Sequence, residues 1–120
     1  LNREEAASAT SEAVVQRQFE AANAHDIDRF IAEFADDAQI FTPPAAAPTL
    51  VGKDAIAHHY STKRFNVPAL HYDLLNRMVM GNIVVDHERI TGIEAEPYEV
   101  VLVYQIVHGR VQTVWLFRPA

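Results

Sequence analysis

The chain contains no cysteine, so disulfides, thiolate chemistry and Cys-ligated zinc are all excluded. Basic residues are also scarce. Ten Lys+Arg stand against 16 Asp+Glu, for a net charge of −6, and no basic cluster exists. That removes the electrostatic footprint for nucleic acid and predicts repulsion from anionic membranes. No apolar run reaches transmembrane length. The first residues, Leu1-Asn2-Arg3-Glu4-Glu5, hold no hydrophobic signal core, so a cytoplasmic location is the expectation. The missing initiating Met is expected to reflect processing or trimming.

What remains is enough for one globular domain. The 120 residues are 49% hydrophobic, outside the disordered range. A chain of this size buries about two-thirds of its unfolded surface. Residues 1–10 are small and polar and read as a flexible N-terminal arm; 11–120 read as a single domain.

From Ser11, a plausible N-cap, Val14, Val15, Phe19 and Ala22 form one apolar stripe. His25 and Asp26 break it, and Asp26 can cap a second helix. There Ile27, Phe30, Ile31 and Phe34 recur at helical spacing. Gln39 to Thr42 reads as a strand. The run Pro43-Pro44-Ala45-Ala46-Ala47-Pro48-Thr49 cannot enter a sheet interior, because proline lacks the N–H donor. It reads as a lid or a rigid connector. Gly52 closes the next extended piece, and a short third helix spans Asp54 to about Tyr60.

Strands are expected at His71–Met80, Ile83–Thr91, Tyr98–Val107 and Arg110–Arg118. Gly81-Asn82 and His108-Gly109 are the turns between paired strands. Helices first and a long meander after predict an α+β domain. If His108-Gly109 is a two-residue turn, Ile106 faces Val111, Tyr104 faces Thr113, Leu102 faces Trp115 and Val100 faces Phe117. The opposite face then carries Val103/Val114, Val101/Leu116 and Glu99/Arg118. Both faces are apolar in the middle, and three helices cover only one. The uncovered side, with Leu102, Tyr104, Trp115 and Phe117, predicts a homodimer. Alternatively, a loop or the N-terminal arm covers it.

Several motifs resemble the nuclear transport factor 2-like superfamily, which includes ketosteroid isomerases and SnoaL-like polyketide cyclases. They are Val14-Val15-Gln16-Arg17, Asn23-Ala24-His25-Asp26-Ile27-Asp28, Phe34-Ala35-Asp36-Asp37-Ala38, Gly52 with Ile56 and Tyr60, and the final hairpin. The resemblance spans roughly residues 12–118. It implies a cone-shaped, curved antiparallel sheet with three N-terminal helices packed on one face, and it implies no activity, because this superfamily hosts many. Ketosteroid isomerases use a tyrosine, an aspartate base and a protonated aspartic acid. The matching positions here look like Gln18, Thr42 and Val103. The cyclases' His-Trp-Asp run reads Val114-Trp115-Leu116. Neither established acid set is present. The stretches Asn76 to Asn82 and Val85 to Gly92 resemble members of unknown activity.

Attention therefore moves to Asp86-His87-Glu88-Arg89 in mid-strand. Alternation sends Asp86 and Glu88 to one face. The resemblance places Val84, Asp86, Glu88, Val103, Val114, Leu116 and Arg118 toward the cone, with His59 at its mouth. Two carboxylates in an apolar cavity cannot both ionise cheaply, so one becomes a general acid or base near neutrality. Asp86 or Glu88 would then move a proton on a small hydrophobic molecule, with His59 or Arg118 holding the developing anion. Gln18 and Thr42 could hydrogen-bond a ligand. The bland alternative is that the charges form ion pairs with Arg77 or Arg118 on the rim. The histidines His58, His59, His71 and His87 lack metal-ligand spacing, and no cofactor is expected.

Overall fold

The computed structural model describes residues 2–119. Leu1 and Ala120, the outer ends of the expected arm and domain, lie outside them.

The first helix, α1, runs Arg3–Asn23. Its cap is Asn2, whose side chain accepts from the Glu5 amide and donates to the Glu5 carboxylate at 2.8 Å. Glu4 and Glu5 also sit favourably against the helix dipole. The expected arm is thus helical from Arg3 onward, and Ser11 is a buried interior residue rather than a cap. Ser8 accepts a hydrogen bond from the Gly81 amide, which docks this end of the helix on a sheet turn. His25 reverses the chain in left-handed conformation (φ 53) and holds the Leu70 carbonyl at 2.8 Å. Asp26 caps α2, Ile27–Ala32, as expected. This helix is shorter than its apolar period suggests: Phe34 opens strand β1, Phe34–Phe41, instead of ending α2. Strand β2 is Leu50–Val51, and α3 is Lys53–Lys63.

Four longer strands follow: β3 (His71–Met80), β4 (Ile83–Thr91), β5 (Tyr98–Val107) and β6 (Arg110–Phe117). The six-stranded sheet has the order β2-β1-β6-β5-β4-β3. Every pairing is antiparallel except β1 with β6. The helices pack on one face over Val14, Val15, Phe30, Ile56, Val84 and Val100, all buried. Phe30 joins them, with its ring centroid 4.7 Å from that of Tyr60 and 5.1 Å from that of Phe65.

The last hairpin decides which side chains face the helices. His108 and Gly109 both have positive φ, 51 and 73, which matches a turn with two left-handed residues. Val107 pairs with Arg110 and Ile106 with Val111, as expected. A bulge then intervenes between Gln105 and Ile106, and every later pair shifts by one. Tyr104 meets Val114, Val103 meets Trp115 and Leu102 meets Leu116. A one-residue slip exchanges the two faces of β6 relative to β5. The expected set Leu102, Tyr104, Trp115 and Phe117 therefore does not share a face. Leu102 and Tyr104 are buried under the helices, while Phe117 is exposed on the other side. Glu99 pairs with His87 and Arg89, not with Arg118.

One backbone approach is unusually close. A Cβ on Gly92 (φ 89) would lie 2.1 Å from the Ala69 carbonyl oxygen. Gly92→Ala is expected to cost about 1–3 kcal/mol, from left-handed strain and displacement of the segment before β3. Urea unfolding checks this; an unchanged midpoint would contradict the tight crossing.

Candidate functional site

Between the helices and the covered sheet face lies a cavity of about 380 Å³. That volume suits a small organic molecule. Its apolar wall is made by Phe19 and Ala22 from α1, Phe30 from α2, Leu50 from β2, and Ile90, Val100 and Leu102 from the sheet.

Strand alternation places Asp86 and Glu88 inward together, as expected, but gives them different surroundings. Asp86 is fully buried beside the cavity and does not line it. Arg77, across the β3–β4 pair, grips it with two charge-assisted hydrogen bonds, Nε to Oδ1 at 2.7 Å and a terminal nitrogen to Oδ2 at 2.9 Å. The third guanidinium arm donates to Gln16 Oε1 at 2.7 Å, and Gln16 donates to Glu20 at 3.0 Å. This is the ion pair that the bland reading anticipated, but it is interior rather than at the rim.

Glu88 lines the cavity and is 3% exposed. Burial pushes its carboxyl up to about 8. The Asp86 charge and a hydrogen bond to Asp86 push in the same direction, and Arg77 opposes them. These surroundings favour the protonated form of Glu88 near neutrality, with the Arg77-held Asp86 behind it.

Around Glu88 stand hydroxyl and amide groups. Gln18, Tyr60, Tyr72 and Tyr104 line the cavity, and their side chains have no hydrogen-bond partner among the described residues. Since no fully occluded side-chain nitrogen or oxygen there is unsatisfied, these groups open to the cavity. Burial raises all three phenols; Tyr60 is pushed up to about 12, so each remains a neutral donor.

The other expected residues divide. Thr42, His59, Leu116 and Arg118 line the cavity. Burial, with help from Arg64, Lys63 and His58, lowers the His59 pKa. Arg118 lies at the open edge, paired with Glu94 through two bonds at 2.6 and 2.9 Å, its guanidinium 4.0 Å from the Tyr98 ring centroid. Val84 and Val114 are core residues on the covered face without lining the cavity. Val103 is a correction: regular alternation along β5, in register with β4, puts it on the outer face beside Val85 and Trp115, while Tyr104 pairs with the buried Val84. Sequence reasoning missed Tyr104 as a cavity group and did not single out Arg64 or Glu94. Period-2 alternation grouped Tyr104 with Leu102 and Val100, but that row was expected on the uncovered side and instead faces the helices.

Comparison with known proteins identifies the family and the fold. The family profile of the SnoaL-like domain matches residues 15–114. A proposed ketosteroid isomerase from Kribbella flavida superposes with TM-score 0.81 at 18% identity, covering 94% of this chain and 80% of its own. An NTF2-like protein of unknown function from Mesorhizobium loti gives 0.81 at 16%, covering 94% and 93%. An LEH-like epoxide hydrolase from M. tuberculosis gives 0.78 at 14%, covering 93% and 84%. Identities this low establish a shared fold only. No protein of curated function matches the sequence. The chain belongs to the SnoaL-like domain family, with the NTF2-like fold.

Proposed function

We propose that this SnoaL-like protein is a cofactor-independent acid/base enzyme acting on a small, mostly apolar molecule, with Glu88 as the group that moves the proton. The observation that carries this reading is a buried carboxyl that lines the cavity beside a second, arginine-held carboxylate, surroundings that raise its pKa. As the acid it can protonate a substrate oxygen or a leaving group; once ionised it can take a proton from carbon. Gln18 and Tyr104 are the neutral donors available to a developing oxyanion. The Asp86–Arg77 pair is a positioning unit that keeps a negative charge behind Glu88. Isomerisation, dehydration and hydrolysis all need this proton transfer. The neighbours support the reading only coarsely, since their names include both an isomerase and a hydrolase. A screen of small carbonyl compounds and epoxides for turnover, repeated with Glu88→Gln, tests it.

A second reading is a non-catalytic binder. It is favoured by the uncharged residues Gln18 and Thr42 where the resembling isomerases hold a tyrosine and a base. It predicts saturable binding with no product at any pH.

We also propose that the uncovered sheet face forms a homodimer, now with a corrected residue set. Met78, Val85, Val103, Trp115 and Phe41 stand in register across five strands. Phe41 and Trp115 stack at 6.0 Å, and Met78 and Met80 are well exposed. A continuous apolar row of this kind suits a self-complementary interface. Val103→Asp is expected to yield a folded monomer by sedimentation equilibrium, since it places a charge mid-interface. A wild-type monomer at high concentration would refute the dimer.

A further inference from the structure

The cavity has two chemically different ends, and only the buried one is used above. Its open end carries Arg64, Arg118, His59, Glu94 and Tyr98. Arg118 is fully engaged: both of its terminal nitrogens bind Glu94, and its plane covers Tyr98. Arg64 is different. It follows the last turn of α3, and its only side-chain hydrogen bond among the described residues goes to the neighbouring Lys63 carbonyl at 2.8 Å. It takes part in no ion pair there, although Glu94 is near enough to feel its charge. Two guanidinium groups and one carboxylate leave the mouth with one surplus positive charge, on a chain whose net charge is −6. Among the described residues no carboxylate forms an ion pair with Arg64.

Deepening the proton-transfer reading and resting on it, we propose that the ligand is an apolar organic monocarboxylate. Its carboxylate sits on Arg64 at the mouth, and its far end reaches the polar cluster of Glu88, Gln18 and Tyr104. Three features support this ligand class. Arg64 offers a guanidinium suited to a carboxylate, with no ion-pair partner among the described residues. The wall between the two ends is aromatic and aliphatic, with Phe19, Phe30 and Leu50. At the buried end, Gln18, Glu88 and Tyr104 are at least nine-tenths buried, and the side chains of Gln18 and Tyr104 lack protein partners, so the far end of the ligand must carry a hydrogen-bonding group or leave room for a bridging water. Among the lining residues the guanidinium without an ion pair, Arg64, is at the mouth, which sets the orientation.

Calorimetric titration with hydrocinnamate and its primary amide tests the proposal near neutral pH. The two probes share an aromatic body and differ in charge. Wild type is expected to bind the acid about tenfold more tightly than the amide, the worth of one charge-assisted contact. Arg64→Gln is expected to remove that preference while amide binding stays unchanged. Arg118→Gln combined with Glu94→Gln, which removes the rim ion pair and leaves Arg64 in place, should keep the preference for the acid, and its loss there would overturn the proposal. Equal affinity for the two probes would overturn the proposal. So would a loss in Arg64→Gln that falls equally on both, or no binding of either at millimolar concentration. Glu88→Gln in the same titration separates the two ideas: it leaves the acid-to-amide ratio intact, whereas retained turnover in that variant sinks only the proton-transfer reading.

Discussion

Replacing Arg77 with methionine is expected to lower the unfolding free energy by about 3–5 kcal/mol. The cost comes from what is left behind. Asp86 is fully buried, and Arg77 supplies two short hydrogen bonds to it. Without the guanidinium, the carboxylate must either stay charged in an apolar interior or take up a proton. A compensating change sharpens the test. Arg77→Met combined with Asp86→Leu removes both charges at similar volume, and such swaps are often neutral. The double variant should therefore recover most of the stability lost in the single one. Urea unfolding at neutral pH reads both. A loss under about 1 kcal/mol in Arg77→Met would mean that the pair is not held as ions and would weaken the account of Glu88.

The second large effect concerns Glu88. In Glu88→Gln, turnover on any substrate found should fall by about 10²–10⁴-fold, the usual worth of a positioned acid or base. Substrate binding should change far less, because glutamine keeps the shape and the neutral character that Glu88 has near pH 7. Stability carries an independent signature. The folded-state pKa is about 8, against 4.5 for the ordinary group. Below 4.5 the carboxyl is protonated in both folded and unfolded chains. Between 4.5 and about 8 the folded protein keeps a proton that the unfolded chain releases, so stability falls as pH rises. Above about 8 the whole contribution is lost. Wild type should thus lose a few kcal/mol across this window, and Glu88→Gln should show a flatter profile. The variant should be the more stable of the two in alkaline buffer. If both profiles run parallel, Glu88 does not titrate as described.

Legibility in the sequence followed the range of the forces involved. Local chemistry was readable. Asp26 caps α2, His25 turns the chain, and His108-Gly109 sets the last hairpin, each through its own backbone preference. Alternation along β4 put Asp86 and Glu88 on one face, and the resemblance supplied the inward direction. The start of α1 was missed because residues 3–10 carry no apolar stripe, although Asn2 and Glu5 already formed a reciprocal cap. The β5–β6 register was missed because a bulge at Gln105/Ile106 has no local signature in this pair of strands. That one extra residue on β6 puts Val114 and Leu116 on the side of Tyr104 and Leu102 instead of Val103, and so rewrote the exposed face. Arg77 was visible as a possible partner, and the two-residue turn at Gly81-Asn82 pairs it with Asp86 in unbroken register, the irregularity between Leu74 and Asn76 lying beyond it. Arg64 sits just past the end of α3 and follows no period, so only the folded cavity reveals it.

The most direct test of the account is the protonation state of Glu88 in the resting protein. Infrared difference spectroscopy of wild type against Glu88→Gln isolates the stretch of a protonated, buried carboxyl. The account predicts that this band is present at neutral pH and disappears with a midpoint near 8. A band that is already lost near 4.5, the ordinary value, would show that Glu88 is a plain carboxylate and would contradict the proton-transfer reading.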